Sequence, residues 1–375
     1  MATSIGVIKE AREGETRVAV VPEVAARYAK AGFGVRVESG AGDAAGFEDS
    51  LYRESGAELV ARREALQADL IATVNGIGRE DLAAVRAEST VLGFLSPLDR
   101  PQEVAALAKT GATAYSVELI PRISRAQKMD ALSATSSLAG YKAVLLAASH
   151  LPRFFPLLTT AAGTVKPAQV LVLGAGVAGL QAIATARRLG ARVSAFDVRE
   201  AVKEEIQSLG AAWVDLDLQA QQDKDSGGYA KALSEDQAKA QVEALVPHVK
   251  RSDVVITTAL VPGRPAPLLV TEEAVRGMRS GSVVVDMAAA NGGNCAPSKA
   301  DEAVKLDGVT VLGPTNLPAQ MPQDASTLYA RTLAAFIQEF SDEGVFRPDF
   351  EDEIVTGACV TRDGEVVNER VKSLL

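Results

Sequence analysis

The sequence predicts an α/β protein of two doubly wound domains with parallel sheets, linked by long helices. Three observations predict it. Short apolar β-type runs alternate with amphipathic stretches along most of the chain, as in strands joined by crossover helices. The 375 residues exceed the length at which a single hydrophobic core usually keeps growing. Residues 170–190, VLVLGAGVAGLQAIATARRLG, carry an apolar strand directly into a glycine-rich turn and then a helix.

Taken in order, the first third holds candidate strands near 4–9, 34–39, 69–74, 90–95 and 113–119. Between them, stretches such as PEVAARYAK (22–30) repeat apolar residues at helical spacing. Residues 124–149 contain no proline and predict a long helix that links the domains. Further strands are expected near 169–174, 192–197, 211–215, 253–258, 282–287 and 309–313. A helix at 324–341 leads back, so that the C-terminal residues rejoin the first domain. The expected domains are therefore 1–130 with 330–375, and 140–325.

The turn Gly174-x-Gly176-x-x-Gly179 has the spacing that lets a pyrophosphate approach the backbone and a helix pack closely on its strand. Val177 and Ala178 fall at the start of that helix, where free N–H groups and the positive dipole end favour phosphate. A second apolar strand, residues 192–196, ends in Asp197, 23 positions beyond Gly174. An acid there accepts hydrogen bonds from an adenosine ribose and repels a 2′-phosphate, which selects NAD(H) over NADP(H). Val198 and Arg199 follow, and Arg199 is able to hold a phosphate instead. The second domain is accordingly Rossmann-like. The alternative is a glycine-rich αβ turn without a ligand.

Composition closes off other classes. The net charge of −9 offers nucleic acid and anionic membranes no electrostatic footing. Cys295 and Cys359 have no metal-like spacing, which suits a reducing cytosol and no disulfide framework. No signal peptide is expected, because the N-terminus enters a strand at once. The most apolar stretch, 139–158, is interrupted by Lys142, His150, Pro152 and Arg153, so no direct membrane insertion is expected. No metal-ligand cluster and no Ser/His/Asp set is visible. The two histidines, His150 and His248, read as surface residues. Gly40, Gly42 and Gly46 look like a second nucleotide turn, but Asp43, Glu48 and Asp49 crowd the phosphate position, so a structural turn is expected. Residues 216–243 are polar and Gln-rich, and read either as a lid or as a solvated linker helix.

One polar constellation remains. Residues 121–133 bring Arg122, Arg125, Gln127, Asp130 and Ser133 together at the start of the linking helix. Arg and Gln there can fix a nicotinamide carboxamide or ribose, with Asp130 orienting the arginine. The competing reading is a helix-start capping network. Neither reading supplies a proton shuttle. Hydride passed between two nicotinamide rings moves no proton at the reacting carbons and needs only positioning. With one credible nucleotide site on this chain, a second would lie on another polypeptide.

The chain resembles, almost end to end, the NAD(H)-binding domain I of proton-translocating NAD(P)+ transhydrogenases. The matching stretches include EGETRVAVVPE (13–23), PRISRAQKMD (121–130), TAAGTVKPA (160–168), the glycine turn, FDVR (196–199), SGGYAK (226–231), TTALVPGRPAP (257–267) and GGNC (292–295). Alanine dehydrogenases share the fold, the Arg17 element and the turn. In them the substrate-binding lysine would fall near Asn75, the catalytic histidine near Phe94 and the catalytic aspartate at Ala290, so three of four chemical positions are replaced here. A silent NAD-responsive binding module is the other alternative.

The resemblance implies that Arg122, Gln127, Asp130 and Ser133 position the nicotinamide and its ribose, with Gln127 reaching toward the partner's nucleotide. It implies that Gly174, Gly176 and Gly179 cradle the pyrophosphate of NAD(H), that Asp197 holds the adenosine ribose, and that Tyr229 sits on a mobile closing loop. It also implies a homodimer on the cytoplasmic face of the inner membrane, docked on a membrane-spanning subunit and an NADP(H)-binding beta subunit. Ala290 departs from the acid expected there. The end at Leu375, without an apolar span, suggests the arrangement in which domain I is a separate chain.

Overall fold

A computed structural model describes residues 2–216, 234–260 and 263–375. The chain divides into two compact units, Met1–Thr135 with Pro318–Leu375, and Ser136–Leu317. The first contributes β1 (Ser4–Val7), β2 (Gly34–Glu38), β3 (Glu58–Val60), β4 (Leu70–Ala72), β5 (Thr90–Gly93) and β6 (Thr113–Ser116). The second contributes β7 (Leu158–Thr160), β8 (Gly163–Val165), β9 (Gln169–Leu173), β10 (Arg192–Phe196), β11 (Ala212–Trp213), β12 (Val254–Thr257), β13 (Val283–Asp286), β14 (Ala303–Leu306) and β15 (Val309–Leu312). The chain then returns to the first unit with β16 (Ser341–Asp342), β17 (Val345–Phe346), β18 (Cys359–Arg362) and β19 (Glu365–Val366).

Among the described residues, the first unit's main sheet runs β19-β18-β6-β5-β4-β1-β2-β3 and the second's β11-β10-β9-β12-β13-β15-β14. Each is wound both ways from its first strand. The chain moves from β1 to β2 and β3, then crosses to β4, β5 and β6. It likewise moves from β9 to β10 and β11, then crosses to β12 and β13. Both therefore have a topological switch point beside the carboxyl end of that first strand, where open α/β sheets bind ligands. The central strands are apolar on both faces, as helices covering both sides require. Ile5, Val7, Leu70 and Ala72 are fully buried in one unit, and Leu171, Val172, Val255 and Val284 in the other.

The parallel pattern expected throughout holds for the sheet centres but fails at the edges. β14 and β15 pair antiparallel, as do β18 and β19, and β18 joins β6 antiparallel. The cause is local. Asp307–Gly308 and Asp363–Gly364 each combine two positive φ values, 48° and 82° in the first pair and 52° and 84° in the second. A two-residue Asp-Gly turn of this kind matches strand twist and closes a hairpin.

Two helices bear on the organisation of the units. Pro322–Glu339 starts on a proline at its first turn and buries Tyr329, Leu333, Phe336 and Ile337 in the first unit's core. This burial ties the C-terminal segment to the N-terminal sheet. Helix Ala131–His150 carries the chain from one unit into the next and contains Gly140. A Cβ on Gly140 would lie 2.1 Å from the Ala178 carbonyl oxygen, so this mid-helix glycine permits helix contact at a cost in helix propensity. Among the described residues, no helix is long and apolar enough to cross a membrane.

Candidate functional site

In the second unit, β9 ends at Gly174, whose φ of 98° strongly disfavours a side chain. Gly176 caps the helix Val177–Arg188, whose first intrahelical bond runs from the Leu180 N–H to the Gly176 carbonyl at 2.8 Å. The N–H groups of Val177, Ala178 and Gly179 precede that bond and aim out of the helix start. The three motif glycines answer to different constraints. A Cβ on Gly174 would lie 2.6 Å from Thr258 Oγ1, and one on Gly179 would lie 1.9 Å from the Gly174 carbonyl oxygen. A Cβ on Gly176 would meet nothing within 4 Å, and its backbone is extended. The protein interior thus explains the first and third glycines but not the second. Gly176 and Val177 are exposed at the tip. Open space above a helix N-terminus fits a pyrophosphate.

Asp197, at the end of β10, is 7% exposed. Its Oδ2 accepts from the Ala175 N–H at 2.7 Å and from Arg199 Nη2 at 2.9 Å. Its Oδ1 accepts from the Arg199 N–H at 2.8 Å and from Arg199 Nε at 2.9 Å. A carboxylate has about four lone-pair positions. Asp197 is therefore placed beside the glycine turn as expected, but its acceptors are all engaged. Val198 is half-buried between the two.

Three further residues brace this crevice. Thr258 Oγ1 donates to the Gly174 carbonyl at 3.0 Å. Fully buried Asp286, at the end of β13, accepts from Thr257 Oγ1 at 2.9 Å and from the Cys295 N–H at 3.0 Å. Asn294 donates to the Ala259 and Pro267 carbonyls at 2.9 and 2.7 Å. Sequence reasoning gives these no individual role. A signal exists nonetheless: a polar residue closes the otherwise apolar runs VVIT and VVVD, at strand ends that face a switch point.

In the first unit, Ala126 and Met129 anchor the 121–133 segment in the core, while Arg122, Gln127 and Lys128 stay exposed. Arg125 pairs with Asp352 at 2.6 Å, and Lys128 with Glu339 at 2.8 Å. The expectation that Asp130 orients an arginine is not met by Arg125. The Asp130 oxygens accept from the Ser133 N–H at 2.8 Å and Ser133 Oγ at 2.6 Å. This is the capping arrangement that starts helix Ala131–His150. The structure thus joins Asp130 to Ser133 and leaves Arg122 and Gln127 presented on the outside of an anchored turn.

The remaining positions are also accounted for. Tyr229 lies outside the described residues, as does most of the polar 216–243 segment; its latter part is helix Glu235–Lys250, capped by Ser234. At the Gly40 turn, the Gly40 N–H donates to Asp49 Oδ1 at 2.8 Å, which satisfies the turn internally. Exposed His150 contacts the Leu146 carbonyl at 2.9 Å, and half-buried His248 faces Arg251. Burial and that guanidinium lower the His248 pKa. Among the described residues, no group of His, Cys, Asp and Glu is arranged to hold a metal.

The positions at which alanine dehydrogenases were expected to carry chemistry are structural here. Asn75 Nδ2 donates to Glu15 Oε2 at 2.9 Å, and Phe94 stacks on Tyr329 with ring centroids 5.0 Å apart. Ala290 is exposed. Arg17 is held by Glu15 through two contacts of 2.7 Å.

Two family models match, the alanine dehydrogenase/PNT N-terminal domain over residues 6–139 and the corresponding C-terminal domain over 143–369. The chain is 45% identical over 374 residues to an NAD(P) transhydrogenase subunit alpha chain of Rhodospirillum rubrum, covering 97% of both chains. It is 27% identical to alanine dehydrogenase 1 of Staphylococcus aureus, over 98% of this chain and 96% of that one. The crystal structure of transhydrogenase from Sinorhizobium meliloti superposes with a TM-score of 0.85 at 38% identity, covering 98% of this chain and 99% of that one. With matched domains on both units and this identity along nearly its whole length, the chain belongs to the alanine dehydrogenase/PNT family, on its NAD(P) transhydrogenase alpha-subunit branch.

Proposed function

We propose that this chain is the NAD(H)-binding subunit of a proton-translocating NAD(P)+ transhydrogenase. The observation that carries the nucleotide reading is Gly176, a glycine that the protein's own packing does not require, at a helix start with outward N–H groups. Gly174, Gly176 and Gly179, with the N–H groups of Val177 and Ala178, hold the pyrophosphate. Asp197, Val198 and Arg199 form the adenosine end. Arg122 and Gln127, on the anchored turn capped by Asp130 and Ser133, position the nicotinamide and its ribose. Tyr229 belongs to the loop that covers the bound nucleotide.

NADH bound in this way supplies hydride to NADP+ on a partner beta subunit. The residues of this chain then act by orienting, because transfer between two nicotinamide carbons needs no general acid or base. The chain works as a homodimer, peripheral on the cytoplasmic face of the inner membrane. A membrane-spanning subunit moves protons and couples their flow to transfer. The names of the Rhodospirillum and Sinorhizobium relatives support this assignment.

The test is NADH-dependent reduction of an NADP+ analogue, with the purified chain alone and then with a candidate NADP(H)-binding subunit. Transfer that needs both proteins is the expected result. NADH binding with no transfer in either case would overturn it in favour of a silent binding module.

A further inference from the structure

We infer that Arg199 is a latent ligand for a 2′-phosphate, held out of use by Asp197, so that the pair and not the aspartate alone keeps NADP(H) off this chain. The inference rests on the dinucleotide reading above and deepens it.

The geometry is specific. Asp197 ends β10 and Arg199 follows in extended conformation, which brings both side chains to one side of the chain. The guanidinium folds back on its own aspartate through Nε at 2.9 Å and Nη2 at 2.9 Å, and the Arg199 N–H adds a third contact at 2.8 Å. The aspartate cannot turn away together with the arginine, because Oδ2 is also tied to the Ala175 N–H in the glycine turn. The side chains are 6% and 23% exposed. Such a pair is shielded from water, and truncating one partner leaves the other poorly compensated.

A guanidinium fork that matches a carboxylate also matches a phosphate. In dinucleotide folds an arginine near this strand end accommodates the 2′-phosphate of NADP(H), whereas an acid takes the ribose hydroxyls. This chain carries both groups two residues apart. While Asp197 occupies the fork, an incoming 2′-phosphate meets a neutralised arginine and a carboxylate. Ribose hydroxyls donating to Asp197 need only displace one of its four contacts. Without Asp197, a half-buried cation would stand at the 2′ position with no counter-ion from β10.

The experiment measures equilibrium binding of NADH and NADPH to the full-length chain by nucleotide fluorescence, with thermal unfolding as the fold control. Asp197→Asn keeps an acceptor for the Ala175 N–H while removing the ion pair. It should raise NADPH affinity at least about tenfold, the scale of a charge-assisted contact. Asp197→Asn with Arg199→Ala should lose that gain, and Arg199→Ala alone should still exclude NADPH. An equal gain in the double variant would overturn the inference, because relief of repulsion would then explain everything. No gain in folded Asp197→Asn would also overturn it. Asp197→Ser provides the same comparison if the asparagine variant fails to fold. Failure of the unaltered chain to bind NADH would instead sink the dinucleotide reading itself.

Discussion

The two main sheets share a winding and differ at one place, the carboxyl end of the first strand. In the second unit β9 leads into Gly174 and an exposed Gly176, and the switch point is left open. In the first unit β1 leads within three residues to Glu10, whose carboxylate crosses to the loop after β4. It accepts from the Val74 N–H at 2.6 Å, Thr73 Oγ1 at 3.0 Å and the Asn75 N–H at 3.1 Å. Close by in the chain, Glu15 grips Arg17. At the end of β6, Glu118 accepts from the Ser96 N–H at 2.8 Å. One crevice is kept for a ligand and the other is filled by the protein's own carboxylates. Architecture supplies the crevice; glycine or glutamate at the strand tip decides its use.

The electrostatics follow the same division. Burial pushes the Glu10 carboxyl up to about 7 against its three hydrogen bonds. Burial acts on Glu15 in the same direction, but the Arg17 guanidinium and its hydrogen bonds overcome it and hold that carboxyl at about 2. The filled crevice thus contains one carboxyl that favours its proton and one that rejects it.

The sharpest way to break the comparison is Gly179→Ala. Its Cβ would lie 1.9 Å from a backbone oxygen, so the turn must shift. A loss of about 3 kcal/mol in urea unfolding is expected, together with loss of NADH binding. Unchanged stability would mean that the close packing of helix on turn is not needed.

Next comes Glu10→Gln, which tests the filled crevice. A carboxyl raised from 4.5 to about 7 lets the folded state keep a proton that the unfolded chain releases. Its contribution is fully present below pH 4.5 and is lost as pH rises through 7, a slope of up to about 3 kcal/mol. The variant should flatten the stability profile in that window, and a profile identical to that of the unaltered chain would remove Glu10 as its source.

The smallest structural effect belongs to Gly176→Ala. With no atom within 4 Å of the new Cβ, unfolding stability should stay within about 0.5 kcal/mol. NADH affinity should fall about tenfold, because the methyl group stands where the pyrophosphate approaches. Equal losses in stability and affinity would show that the open crevice is a packing feature.

How much of this is legible in the sequence follows from the range of each interaction. The Asp-Gly hairpins at 307–308 and 363–364 are local, yet alternation of strands and helices favours crossovers over turns and hides them. The long helix is expected from 124, but 124–129 forms a 3₁₀ segment and the α-helix starts at Ala131. There the Asp130 cap outweighs continuous helical periodicity. The placement of Asp197 at the second strand's end is readable from spacing. Its saturation by Arg199 is not, since it depends on which way a long side chain folds.

Apolar alternation and the spacing of Gly174, Gly176, Gly179 and Asp197 were enough to establish the α/β class, the strand that carries the turn and the family resemblance. Those properties depend on residues near one another in the chain, where backbone sterics and hydrophobic period act directly. That Gly176 faces open space while Gly179 faces a carbonyl, that Glu10 bridges to Val74, and that Tyr329 stacks on Phe94 depended on the folded arrangement, the last two joining segments tens to hundreds of residues apart. Contacts of that kind are settled when the sheets close and the helices pack, because burial and hydrogen-bond satisfaction are properties of the assembled core.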